Sequence, residues 1–413
     1  MYKRLHTEEW DFKNANTKEF THGYHSYPAM MIPQIARKLI TEFAPSGRME
    51  LLFDPYMGSG TSLVEASLKG INSIGTDLNP LARLISEVKS RHYSIRTVEE
   101  IFSSIQAKFL AYSPIDVIDT DFSHITKHEF WYSEDSLFKL SFITQIVEDI
   151  DISIKNFFKL ALAEVIREVS FTRNGEFKRY KMSEQQLIKF NPDVFTLFQN
   201  KIIRNIKGLR EYNNIPIKGN VQIFDFNTSE KIPSEIFGND EVDIVVTSPP
   251  YGDSKTTVAY GQFSRWANEW FQFPNAKVLD SLLMGGKPSK EAFFTTKSIY
   301  KELETIKLID SKRYYDVISF LNDYYASICN VAKVVRKGGK VCYVVGNRNV
   351  KGVQIPLDFF TAEMFEKNGF KHEFTIVRTI PNKKMPSKNS PTNEKGVLVD
   401  TMTSEYIVIL EKK

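Results

Sequence analysis

The chain is poor in cysteine: Cys329 and Cys342 are the two it has among 413 residues. One pair without metal-ligand spacing makes neither a zinc module nor a disulfide framework, so a reducing cytoplasm is the expected location and no metal site is expected. Long uncharged apolar runs are also missing. None reaches the about 18 residues that a membrane-spanning helix needs, and the opening Met1-Tyr2-Lys3-Arg4-Leu5-His6 has no apolar signal core. A soluble intracellular protein is therefore expected. Charge of one sign is lacking too, because 54 Lys and Arg against 50 Asp and Glu leave a net +4. That balance admits a polyanionic partner without requiring one. No internal repeat or low-complexity tract stands out.

What is present is ordinary globular material with one excess. Hydrophobic residues make 42% and charged residues 25%, enough for two domains or one enlarged α/β domain with insertions. Aromatics reach 13%; most belong to cores, and a few are candidate stacking platforms.

Leu51-Leu52-Phe53 reads as a strand, Thr61 to Lys69 as a helix closed by Gly70, and Ile74-Gly75-Thr76-Asp77 as a second strand end. Strand, glycine turn, helix and strand make a βαβ unit, hence a parallel sheet. Long amphipathic segments, Leu137–Val169 and Gln186–Tyr212, follow with few strand signals. The sheet resumes at Asn220–Asp225 and Val242–Val246. A helix over Tyr314–Val335, a strand over Lys340–Val345, a helix over Leu357–Lys367 and strands over Lys371–Ile380 and Glu405–Leu410 complete it. The organisation expected is 1–96 as the first part of an α/β domain, 97–214 as a mostly helical insertion and candidate DNA-recognition region, and 215–413 as the second part with 253–312 inserted.

The most informative residues are Thr247-Ser248-Pro249-Pro250-Tyr251, directly after the β-branched run Val242–Val246. Two prolines fix the backbone at the strand end and donate no hydrogen bonds. A hydroxyl before them and an aromatic face after them suit a flat, amino-bearing ring, and ligands of open α/β sheets bind at this edge. Upstream, Asp54-Pro55-Tyr56-Met57-Gly58-Ser59-Gly60-Thr61 turns the first strand into the first helix. Without Gly-Lys-Ser/Thr it is not the Walker phosphate loop. Asp54 is placed to bind an ammonium group. Asp77, ending the second strand, is placed to meet ribose hydroxyls, and Asp225, ending a third, to accept from an adenine amino group. A ligand with an amino-acid end, a ribose and an adenine satisfies all three carboxylates, which is S-adenosylmethionine.

With these residues in view the chain resembles the amino-methylating DNA methyltransferases of bacterial restriction–modification systems. Asp54–Gly60 is similar to their cofactor motif, Ser248-Pro249-Pro250-Tyr251 to their catalytic motif, and His25–Pro33 to their N-terminal cofactor segment. The resemblance covers about residues 15–90 and 218–413. It implies a Rossmann-like α/β fold with a mostly parallel seven-stranded sheet, an antiparallel last strand and a helical insertion. It implies that Tyr27, Pro28, Asp54, Pro55, Tyr56, Gly58, Gly60, Thr61, Asp77, Leu78, Asp225 and Phe226 hold the cofactor, and that Ser248, Pro249, Pro250 and Tyr251 carry the chemistry.

Ser-Pro-Pro-Tyr is the form typical of cytosine-N4 enzymes; adenine N6 and, in another substrate class, guanine N2 of RNA are the alternatives. RNA enzymes of that kind usually carry an N-terminal RNA-binding domain, for which the short arm leaves no room. No Pro-Cys pair occurs, which argues against ring-carbon methylation through a thiol. The implied partner is double-stranded DNA with the target base flipped out, in the company of a restriction endonuclease. Candidate DNA contacts are Arg173, Lys178 and Arg179, where basic and aromatic residues alternate between Arg167 and Lys181, then Lys255, Arg265, Lys383 and Lys384. Trp266 and Trp270 beside Arg265 either face DNA or bury their helix.

Overall fold

Leu52 and Phe53 are neighbours in one strand, yet they belong to different cores. A strand apolar on both faces is covered on both, as parallel sheets require. The computed structural model describes residues 2–413 apart from 45–50, 118, 174, 176, 217, 239–240, 254–257, 381–387, 390–398 and 401–402. Its main sheet contains β1 (Arg4–His6), β2 (Leu51–Asp54), β3 (Asn72–Thr76), β4 (Val221–Phe224), β5 (Val242–Thr247), β6 (Val335–Val345), β7 (Phe370–Thr379) and β8 (Ser404–Lys412). The order is β1-β7-β8-β6-β5-β2-β3-β4. β8 alone runs antiparallel to its neighbours β6 and β7.

Among the described residues, eight strands make this sheet in place of the expected seven. The additional one comes from the N-terminal arm, where Arg4 pairs with Thr375 in parallel register. Arg4 is fastened by Nε and Nη2 bonds of 2.8 and 2.9 Å to the buried Asp358 carboxylate. Three residues are too short to show an alternation pattern. β6 also begins earlier than expected: the chain passes from helix into strand at Val335 and includes Gly338 and Gly339. Gly339 lies so close to β5 that a Cβ would sit 3.1 Å from the Asp243 carbonyl, beside the register shift between Val242 and Ile244.

The longer helices are α1 (Pro33–Phe43), α2 (Thr61–Leu68), α3 (Pro80–Ser90), α4 (Ile95–Leu110), α5 (Glu134–Glu148), α6 (Ile152–Glu168), α7 (Val194–Asn213), α8 (Tyr260–Trp270), α9 (Tyr300–Ile309), α10 (Ser311–Val334) and α11 (Leu357–Glu366). On one face, Leu39 of α1 and Leu63 of α2 pack in the same core as Leu52, Ile244 and Val246. On the other, Tyr324 and Ile328 of α10 and Phe360 of α11 join Phe53, Val245 and Tyr343. The expected segments Leu137–Val169 and Gln186–Tyr212 are each broken by a capping aspartate: Asp151 accepts from the Ser153 amide, and Asp193 from the Thr196 amide. α4 to α7 form a third core around Phe102, Leu140, Phe157 and Phe198, shared with Ile85 of α3 and with Trp266 and Trp270 of α8. The helical body is thereby welded to the sheet domain through α3 and α8. No helix of the described residues is long and apolar enough to cross a membrane.

Candidate active site

β5, β2, β3 and β4 lie side by side and parallel, so their carboxyl ends meet at one edge. After β2 the chain turns through Gly58 and Gly60, at φ +49° and +71°. L side chains rarely adopt this region. A Cβ on Gly60 would meet Ser86 Oγ at 2.7 Å and Ser86 Cα at 3.1 Å. α3 supports the turn from behind: Ser86 Oγ donates to the Gly58 carbonyl at 2.9 Å, and the buried Lys89 Nζ to the Ser59 carbonyl at 2.7 Å. Burial pulls Lys89 down to about 7.

Two carboxylates border the cavity at this edge. Asp54, 3% exposed, accepts from Thr247 Oγ1 at 2.5 Å, from the Tyr56 amide at 3.1 Å, and from Ser62 Oγ. Asp77 accepts from the Gly58 amide at 3.1 Å and the Asn79 amide at 2.8 Å. Burial raises both to about 6 against their hydrogen bonds.

Of the residues expected to hold a cofactor, Tyr27, Pro28, Asp54, Pro55, Tyr56, Gly58, Thr61, Asp77, Leu78 and Phe226 line this cavity, and Ser248 and Pro250 line it with them. Gly60 shapes the turn from beneath. Asp225 is placed differently from the expectation. β4 ends at Phe224, and of the next two residues Phe226 lines the cavity while Asp225 borders the neighbouring groove. There the side chain is 63% exposed and pairs with Arg83 Nη1 at 2.8 Å. Pro249 and Tyr251 adjoin the cavity through Ser248 without lining it.

Met30 and Met31, from the His25–Pro33 segment, line the cavity too, whereas sequence reasoning missed Tyr260, Asn227, Thr228, Leu283 and Met284 in the same wall. Tyr260 stacks on Tyr27 with centroids 5.9 Å apart and planes 23° from parallel. Asn79 Nδ2 donates to Tyr27 Oη at 2.9 Å and to Ser264 Oγ at 2.7 Å, tying the N-terminal segment to α8. Asn79 next to Pro80 is a legible cap signal in the sequence; its second task is not.

A second missed network starts at Ser248. Its Oγ lies 3.1 Å from Tyr251 Oη, which donates to Glu405 Oε1 at 3.1 Å. Glu405 Oε2 pairs with Arg378, its cross-strand partner on β7. Burial, with Glu405 beside it, pushes the Tyr251 phenol well above its usual range.

The DNA candidates fare unevenly. Arg173 is exposed and Lys178 half-buried, on an irregular hairpin closed by the Thr172–Lys181 bridge. Arg179 lies over the Trp266 ring at 4.7 Å. Arg265 does not face solvent: it pairs with buried Glu269, donates to the Lys277 carbonyl at 2.6 Å, and is 16% exposed. Trp266 and Trp270 are buried, because their indole N–H groups find Thr172 Oγ1 at 3.0 Å and Thr144 Oγ1 at 2.8 Å and α8 is thereby an internal helix. Lys255, Lys383 and Lys384 lie outside the described residues.

A glycine turn braced against a neighbouring helix, an acidic residue ending the next strand, and a hydroxyl–diproline corner at the adjacent strand end form one cavity with polar and aromatic walls. With the mostly parallel sheet, these features define a methyltransferase dependent on S-adenosylmethionine. The chain belongs to the Type II methyltransferases, the DNA-modifying enzymes of restriction–modification systems. It is 38% identical over 423 residues to Type II methyltransferase M.MvaI of Kocuria varians, covering 97% of this chain and 93% of the relative. Type II methyltransferase M.BsoBI of Geobacillus stearothermophilus is 24% identical over 415 residues, 86% of this chain and 80% of the relative. M.MjaII of Methanocaldococcus jannaschii is 37% identical over 110 residues, 25% of this chain and 20% of the relative. No family model matches. Among solved structures, the rRNA methyltransferase aviRa from Streptomyces viridochromogenes overlaps 93% of this chain and 86% of its own at 9% identity and a TM-score of 0.34, too slight to bear on fold or substrate.

Proposed function

We propose that the chain transfers a methyl group from S-adenosylmethionine to cytosine N4 at a specific site in double-stranded DNA, in the cytoplasm and alongside a cognate restriction endonuclease. The observation that carries this reading is Ser248 in the cavity wall with Pro250, within a Ser-Pro-Pro-Tyr corner that offers a neutral hydroxyl in the position of an acid.

The residues suit the cofactor by their chemistry. Asp77 keeps lone pairs beyond its two backbone bonds, which fits ribose hydroxyls. Tyr27, Tyr260 and Phe226 supply apolar faces for a purine, and Gly58, which has no side chain, lets a ligand come close to the turn. S-adenosylmethionine supplies an electrophilic methyl group when bound. An exocyclic amine is a weak nucleophile because its lone pair is delocalised into the ring. Ser248 Oγ and the Pro249 carbonyl accept its N–H bonds, favour tetrahedral nitrogen and disperse the developing positive charge. Positioning supplies much of the rest. Tyr251 stacks on the base, which must leave the duplex at a cost of a few kcal/mol.

The test is nucleoside mass analysis of DNA from a methylase-free host expressing the chain. N4-methylcytosine is expected. N6-methyladenine without it overturns the base assignment, and methylated tRNA with unmodified DNA overturns the substrate class.

A further inference from the structure

The Ser248 hydroxyl is the last member of a hydrogen-bonded row whose directions can be worked out. Arg378 is 4% exposed, with Nε donating to the Trp10 carbonyl at 2.7 Å and Nη2 to the Asp11 carbonyl at 3.1 Å. Its Nη1 is paired with Glu405 Oε2. The guanidinium is therefore fixed on three sides and holds one carboxylate oxygen. The other, Oε1, faces Tyr251 Oη at 3.1 Å. A carboxylate accepts and does not donate, so the Tyr251 proton points at Glu405. A phenol has one proton, and its oxygen is left as an acceptor for its other neighbour. That neighbour is Ser248 Oγ at 3.1 Å. Ser248 must donate to Tyr251, and only lone pairs remain on its cavity side.

We propose that Glu405, anchored by Arg378, is a positioning residue that fixes the Ser248 hydroxyl as a hydrogen-bond acceptor, so that the site takes a target ring bearing an amino group and rejects one bearing a carbonyl at the same place. This rests on the reading of Ser248 as the contact of the target amine. It also gives Tyr251 a second duty beside stacking. The polarity of the site is set from β8, far along the chain from the motif it serves.

The test reverses the row. In Glu405→Gln the amide oxygen must face Arg378, which only donates, so the amide N–H groups face Tyr251. The phenol then accepts, its proton turns to Ser248, and Ser248 donates into the cavity. Glu405→Gln is expected to turn over about ten to a hundred times more slowly, the effect of one opposed buried polar group, with its affinity for S-adenosylmethionine within about twofold of wild type. Tyr251→Phe cuts the row and frees Ser248 to rotate. The double variant Glu405→Gln/Tyr251→Phe should therefore be faster than Glu405→Gln alone, whereas a merely structural role for Glu405 makes it equal or slower. A Glu405→Gln enzyme at the wild-type rate, or a double variant no faster than it, overturns the proposal.

If Glu405→Gln does not bind cofactor, the wild-type enzyme decides instead. Duplexes carrying its own mapped site, with the target amine replaced by a carbonyl or by hydrogen opposite an abasic position, should differ about tenfold or more in affinity, the carbonyl being weaker. Equal affinity overturns the proposal. A wild-type enzyme that methylates a ring carbon overturns the proposed function as well, while one that methylates an amine and fails these comparisons overturns the relay alone.

Discussion

Thr247 Oγ1 donates to Asp54 Oδ1 at 2.5 Å, joining the last residues of β5 and β2 across 193 positions of sequence. The same carboxylate takes Ser62 Oγ from the first turn of α2. Asp54 is thus a buried brace between the glycine turn and the diproline corner, and it sets their spacing. Thr247→Val keeps the strand shape and removes the donor. It should cost about 1–3 kcal/mol of stability, read as a lower urea midpoint at unchanged slope, and should weaken S-adenosylmethionine binding. An unchanged midpoint would show that the brace carries no load.

Asp54 and Asp77 are both held at about 6 by burial, above the ordinary 3.8. The sign for stability is therefore opposite to that of a salt-bridged carboxylate. Between about pH 4 and 6 the folded state binds more protons than the unfolded one, so this contribution falls as pH rises through that window and is flat above it. Cofactor affinity should move the other way, since a protonated Asp77 loses acceptor capacity. Calorimetric titration should show weaker S-adenosylmethionine binding as pH drops through about 6. Asp77→Ala should bind about ten to a hundred times more weakly at neutral pH and lose most of that pH dependence, with DNA affinity little changed. A wild-type profile flat from pH 5 to 8 would contradict the assignment.

The sheet and the two motifs were legible because each depends on near neighbours: β-branched runs ending in prolines, and glycines before a helical stretch. The cavity wall was legible where it follows these motifs, as at Tyr56, Asp77 and Ser248. Tyr260, Glu405 and Arg378 were not, because their meaning comes from tertiary neighbours on α8, β8 and β7. Asp225 was misplaced because a one-residue change at a strand end sends a side chain to the other side. Arg265 was misread because composition does not reveal that Glu269, four residues on, is buried and needs a cation. β1 is too short to carry a pattern at all.

Gly60 tests the turn itself. At φ +71° with Ser86 Oγ 2.7 Å from any Cβ, Gly60→Ala meets both left-handed strain of about 1–2 kcal/mol and a clash with the helix that carries the turn. Stability and S-adenosylmethionine affinity should fall together, because the Gly58 amide that holds Asp77 sits two residues away. Loss of stability with unchanged cofactor affinity would separate the turn from the site.

Two of the three arginines named as DNA contacts, Arg265 and Arg173, should now behave differently. Arg265 neutralises Glu269, which is 2% exposed and also holds the Thr126 amide at 2.7 Å and hydroxyl at 2.8 Å. Arg265→Gln leaves that carboxylate unpaired and should cost about 3 kcal/mol of stability, while the dependence of DNA affinity on salt stays as it was. Arg173 is exposed beside the helical body, with its backbone amide held by the Tyr180 carbonyl at 2.9 Å. If its hairpin grips phosphate, Arg173→Gln should leave the unfolding midpoint alone and lower the slope of log affinity against log salt by about 1. The reverse pattern, a salt effect from Arg265 and none from Arg173, would put the DNA on another face of the helical body.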